Sequence, residues 1–151
     1  MEHWIKIIAK QLAKKKEWSG LIVAFPEYRP DLLKTLANEL NYSFYDYREA
    51  EMAPLGMKAA ELTLAELDRT LYKTIQTGPT VLHNIESLLL SKQNQSVITW
   101  LTEFSTKPWG HNVVLPVVIL ADVALNLQPD AVVDLTQTTF PEQSLISRLM
   151  H

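Results

Sequence analysis

The stretch Leu21-Ile22-Val23-Ala24-Phe25-Pro26-Glu27-Tyr28-Arg29-Pro30-Asp31 decides how the chain is read. An apolar run bounded by turn residues predicts a buried strand at 21–25. Pro30 or Asp31 then opens a helix whose inner stripe is Leu32, Leu33, Leu36 and Leu40. A turn from strand into helix is where a phosphate-binding loop sits in nucleotide-binding α/β units. Such a loop needs glycines, because its N–H groups must converge on phosphate oxygens in conformations that a Cβ forbids. The turn at 26–30 has no glycine and gives two positions to proline, which carries no N–H at all. The strand and helix of a nucleotide site are therefore expected without its loop.

Working outward, Trp4, Ile5, Ile8 and Leu12 recur at helical spacing, with Lys6, Lys10 and Lys14 on another face, so residues 3–17 read as an amphipathic helix. Ser43-Phe44-Tyr45-Asp46-Tyr47-Arg48 predicts a second strand, and residues 49–62 an irregular segment turning at Pro54-Leu55-Gly56. Thr63-Leu64-Ala65-Glu66 is a capping-box signature for a helix that Gly78-Pro79 stops. Residues 80–85 form a third strand with a helical turn after it. Val97, Ile98, Leu101 and Phe104 are the inner stripe of a further helix. The hydrophobic stretch 113–120 predicts a central strand in which Pro116 marks a late start or a bulge, and residues 131–135 a fifth strand. Alternating strands and helices predict an α/β fold, a three-layer sandwich around a mainly parallel five-stranded sheet. One domain is expected over 1–151: an N-terminal helix at 1–18, the α/β core at 20–137 and a C-terminal helix at 139–150.

A chain of 151 residues, 47% hydrophobic and 21% charged, has the length for one core. No apolar run is long enough to span a membrane and the N-terminus lacks a signal peptide's pattern, so a cytoplasmic protein without membrane contact is expected. The absence of cysteine excludes disulfides, thiolate metal sites and a cysteine nucleophile. The net charge is −3, but residues 1–17 carry five lysines against two glutamates. Basic character is confined to that segment.

Chain order and element lengths over residues 20–137 resemble the additional-strand P-loop NTPases, the group that includes AAA+ and RecA-like ATPases. In that family the third strand ends in an acidic residue that positions magnesium; here His83 or Asn84 falls at that place, and the fourth strand ends in Leu120-Ala121-Asp122. Lys34-Thr35 superficially matches the family's lysine and hydroxyl, but inside the helix. The phrase Leu82-His83-Asn84-Ile85-Glu86-Ser87-Leu88-Leu89 resembles one in the small P-loop-containing subunit of bacteriophage-exclusion (BREX) defence systems, where an aspartate precedes Asn-Ile-Glu. The resemblance implies an accessory component of a multi-protein DNA-modification and phage-defence assembly. No ATP-site residue carries over, so neither a cofactor nor a catalytic residue is expected.

His83, Asn84, Glu86 and Asp122, with Arg29, are candidates for a polar site, because the carboxyl ends of strands are where ligands bind in open α/β sheets. Asp46, Glu49, Glu51, Asp122 and Asp134 are the carboxylates open to acid–base work, and Asp46 with Arg48 would share one strand face. The four histidines have no metal-ligand spacing. Lys10, Lys14, Lys15 and Lys16 could contact DNA phosphates. Trp109, beside Pro108 in a loop, is a candidate protein-contact anchor or a plug at the end of the sandwich. Tyr45 and Tyr47 are candidate partner-binding aromatics. The expectation is a non-catalytic scaffold or adaptor that binds other proteins, with an atypical ATP-binding protein or a DNA-contacting subunit as alternatives.

Overall fold

In the computed structural model, residues 1–15 and 18–142 are described. Along the chain run α1 (His3–Lys14), β1 (Leu21–Ala24), α2 (Pro30–Leu40) and β2 (Ser43–Asp46). A π-helical turn (Arg48–Met52) and a 3-10 helical segment (Ala53–Glu61) lead to α3 (Leu64–Ile75), β3 (Thr80–His83) and α4 (Ile85–Leu89). The remaining elements are α5 (Asn94–Thr106), β4 (Val113–Val117), α6 (Ala121–Ala124) and β5 (Val132–Asp134). The five strands form one all-parallel sheet in the order β2-β3-β4-β1-β5. The register pairs Leu21 with Val114, Ile22 with Val132 and Tyr45 with Leu82.

Because side chains alternate along a strand, β1 feeds both faces of the sheet. Leu21 and Val23 pack with Trp4, Ile5, Ile8 and Leu12 of α1 and with Leu32, Leu33 and Leu36 of α2. Ile22 and Ala24 pack with residues of α3, α4, α5 and α6 on the other side. The α1 stripe docks as its spacing predicts and leaves Lys6, Lys10 and Lys14 exposed. Each fully buried Ile or Leu in that stripe contributes roughly 1.5–3 kcal/mol. Thr63 accepts a hydrogen bond from the Glu66 N–H and donates to the Glu66 carboxylate, which closes the capping box that starts α3. At Gly20 the backbone runs against the Phe104 ring so closely that a Cβ would lie 2.3 Å from it.

The structure differs from the sequence expectations at four places. β2 ends at Asp46, not Arg48, because Tyr47 turns into the α3 side of the core, 1% exposed, and draws the chain into a helical turn. Residues 48–61 are consequently helical, broken at Gly56, where φ is +57°. Pro116 lies inside β4, opposite Val23, with neither a late start nor a bulge. It is tolerated because β3 pairs with β4 only at Thr80–Val113 and Val81–Val114, so the proline occupies a part of the strand that β3 has already left. On α5 the inner stripe uses Trp100, whose indole N–H donates to Asp68 at 2.8 Å, where Ile98 was expected. Lys16 lies outside the described residues, as does most of the C-terminal helix expected at 139–150; residues 139–142 are not helical. Among the described residues, no helix is long and apolar enough to cross a membrane.

Candidate functional site

The carboxyl ends of β1, β2 and β3 meet at a polar network centred on Tyr28. The loop after β1 sends the Tyr28 hydroxyl to within 3.1 Å of His83 Nε2 and 3.2 Å of Asn84 Oδ1, while Arg48 Nη2 approaches it at 3.2 Å. Asn84, at φ +65°, makes the corner from β3 into α4, a left-handed conformation that asparagine tolerates better than most residues. Its Nδ2 donates to Asp46 Oδ1 at 3.0 Å, and the same oxygen accepts the Glu49 N–H.

Proton counting fixes every role in this network. Asp46 accepts, so the Asn84 amide faces it with its NH2 group, and Asn84 Oδ1 faces Tyr28. An amide oxygen only accepts, so the single tyrosine proton goes to Asn84. The Tyr28 oxygen then accepts from Arg48 and from His83, which places the histidine proton on Nε2 and leaves Nδ1 as a lone pair. The His83 ring lies between the Tyr28 ring, with centroids 5.5 Å apart and nearly parallel, and the Phe44 ring at 5.3 Å. It is 5% exposed. Burial lowers its pKa to about 4; Asp46 opposes the shift, and the positive charges of Arg48 and Lys34 add to it. His83 is therefore a neutral hydrogen-bonding group near pH 7.

Beside this network, the start of α2 carries its own anion. Arg29 donates from Nε and Nη2 to the two oxygens of Asp31, at 2.9 and 2.8 Å, and from Nη1 to Glu27 at 3.3 Å. The Asp31 carboxyl is held below the usual range, first by Arg29 and further by N–H groups of its own helical turn. The anionic group at this helix start is a side chain whose charge Arg29 already balances. Arg29 thus joins Glu27 and Asp31, and not the His83 network for which it was a candidate.

A cleft of about 1090 Å³ opens between α2, β2 and the 48–59 segment, with Tyr28, Lys34, Phe44, Asp46, Arg48 and His83 among its walls. A smaller hollow of about 220 Å³ lies over the ends of β1 and β4. Tyr28, Arg48 and His83 line both and form the partition between them.

Of the four residues expected in a polar site, the structure brings only His83 and Asn84 together. Glu86 points to the end of β4, where its carboxylate accepts from the Val118 N–H at 3.0 Å and the Leu120 N–H at 2.6 Å, holding the strand where β3 has parted from it. Asp122 is exposed on α6 and takes no part in the network. Asp46 and Arg48 do not form the same-face pair expected of them, because the strand ends between them; one serves Asn84 and the other Tyr28. Trp109 is not an exposed anchor. It is 4% exposed, donates its indole N–H to the Phe104 carbonyl at 2.9 Å and packs on Tyr72 and Phe104, so it plugs the core. Tyr47 is likewise a core residue, while Tyr45 is half-buried and donates to Glu51 at 3.2 Å. Lys10 and Lys14 are exposed, but Lys15 folds back to the Ser105 carbonyl at 3.4 Å, and burial lowers its pKa. Among the described residues, no group of three or more His, Cys, Asp or Glu is placed to hold a metal. Tyr28, Arg48 and Lys34 join the site from outside the expected polar cluster of His83, Asn84, Glu86 and Asp122, Arg48 without the strand-face pairing with Asp46 that was expected of it.

No protein family, curated protein or solved structure significantly matches the chain.

Proposed function

We propose that the protein is a non-catalytic, NTPase-like scaffold or adaptor subunit of a multi-protein complex, of the DNA-processing or phage-defence kind. The observation that carries the reading is the filled start of α2: Asp31 and Arg29 neutralise each other where a triphosphate would need bare N–H groups and a lysine. The sheet order supports an NTPase-like ancestry, since β4 lies between β1 and β3, the insertion for which the additional-strand group is named. The phrase at 82–89, spanning the end of β3 and α4, supports the phage-defence setting, with His83 standing where the related phrase has aspartate. Calorimetric titration with ATP and magnesium tests the reading, together with purification of the chain from its native cells. The expected result is no tight ATP binding and a stoichiometric complex with other proteins. Micromolar ATP binding that is lost on changing Asp31 or Lys34 would establish an atypical ATP-binding protein instead.

A second reading, a DNA-contacting subunit, has its own support in the exposed row Lys6, Lys10 and Lys14 on α1. If it holds, replacing these three with glutamine weakens DNA retention and flattens its salt dependence without unfolding the protein. Absence of retention of duplex or single-stranded DNA by the wild-type chain at low salt sinks it.

A further inference from the structure

A parallel sheet in the order β2-β3-β4-β1-β5 has two edges, and the chain treats them differently. β5 is three residues long, and so short a strand offers little to a passing chain. β2 runs over Ser43–Asp46 with neither lysine nor proline to blunt it. Its register with β3 decides which backbone groups remain on the outside. The Ser43 N–H donates to the Pro79 carbonyl at 3.0 Å, and Ser43 lies opposite Thr80. In a parallel ladder every second residue of a strand bonds to a given neighbour, so Ser43 and Tyr45 face β3, while Phe44 and Asp46 direct their backbone groups outward. Among the described residues, no strand lies on that outer side.

The large cleft runs along this edge. Its lining includes both Phe44, which packs with the α1 and α2 side of the core, and Tyr45, which packs with the α3 side. Neighbouring residues of a strand belong to opposite faces of the sheet, so a space that reaches both passes around the open edge. Pro30 and Lys34 of α2 line one wall, and Ala50, Met52 and Ala53 the other. Leu55 and Met57 stand exposed on either side of Gly56, which also lines the cleft. The edge is therefore recessed. A slot walled on both sides admits one extended chain, whereas a second copy of this domain carries the same walls and would meet them before the two edges could pair.

We propose that β2 takes a further strand from a partner protein: an extended segment that hydrogen-bonds to the outward backbone groups of Phe44 and Asp46 and turns every second side chain, small or apolar, onto Ala50, Met52 and Ala53. In strand addition the main-chain bonds supply affinity, and the walls that meet alternate side chains supply selectivity. The site rests on the adaptor reading and gives that adaptor a contact surface.

The test is selection of phage-displayed random peptides on the full chain, followed by NMR titration with the selected peptides as synthetic chains. The expected result is micromolar binding that slows hydrogen exchange at the Phe44 and Asp46 amides and leaves Ser43 and Tyr45, already bonded to β3, unchanged. Because an extended chain sends alternate N–H groups to opposite sides, N-methylation of every second peptide nitrogen should cost at least about tenfold in one of the two frames and little in the other. Ala53→Arg, which fills the slot from an exposed position, should weaken binding at least about tenfold with an unchanged melting temperature. Lys10→Gln, outside the cleft, should leave it intact. The proposal is overturned if no peptide is selected, if selected peptides bind without protecting Phe44 and Asp46, or if both N-methylated frames bind alike. It is equally overturned if the chain dimerises with that protection before any peptide is added, or if deleting residues 143–151 is what exposes those two amides. A native complex that persists in Ala53→Arg refutes this surface and leaves the adaptor reading standing.

Discussion

Replacing His83 with glutamine removes a titration that the fold suppresses, and the effect can be sized. Unfolded histidine has a pKa near 6.5, and burial takes the native value to about 4. Between these values the unfolded chain binds a proton that the native chain does not, so stability falls as pH falls. The contribution is fully present above the unfolded value and lost progressively down to the folded one. The linkage relation gives a loss of about 2 kcal/mol between pH 7 and pH 5, and about 3 kcal/mol by pH 4. Urea unfolding of wild type and His83→Gln at pH 7, 6, 5 and 4 reads this contribution as a difference, in which groups that do not interact with His83 cancel. The variant, less stable at pH 7 through loss of the stacked ring, should converge on wild type as pH falls. A stability difference that stays constant from pH 7 to pH 4 would refute the reasoning, since it would mean that His83 charges as readily folded as unfolded.

Trp109→Ala removes a buried indole together with its hydrogen bond to Phe104, and unfolding should show a loss of about 3–5 kcal/mol. Any folded fraction should retain partner binding, as a core plug and not a contact residue would. Glu86→Ala strips the acceptor from the Val118 and Leu120 N–H groups and should cost about 3 kcal/mol, with hydrogen exchange accelerated first at those two amides. Exchange unchanged at both would show that the carboxylate does not hold the end of β4.

Wherever one buried face imposes a period, sequence and structure agree: Trp4, Ile5, Ile8 and Leu12 on α1, the strand at 21–25, the capping box at Thr63 and Glu66. Agreement fails where a single long-range contact overrides the local pattern. Tyr47 and Arg48 fit a strand by type, yet burial of Tyr47 against α3 residues ends β2 two residues earlier, at Asp46. Trp109 beside Pro108 looks like a surface loop residue because nothing local reveals that Tyr72 and Phe104 enclose it. The missing glycines of the 26–30 turn were legible, and so was the position of His83 and Asn84 at a strand end. What those residues meet was not, because Tyr28, Asp46, Arg48 and Asn84 come from the ends of three separate strands and the segments after them, and only the sheet order brings them within reach.

The strand order also has a consequence for the making of the protein. β1, synthesised early, has its two neighbours in β4 and β5: Leu21 waits for Val114, and Ile22 for Val132. β2 and β3 can pair much sooner, since only the helical elements between residues 48 and 75 separate them. On a ribosome the first strand and the apolar face of α1 would stay without their sheet until the last two strands emerge, and pairings between distant segments close slowly. The lysines beside that apolar face then keep an unfinished chain in water during the interval in which it is most exposed to mispairing.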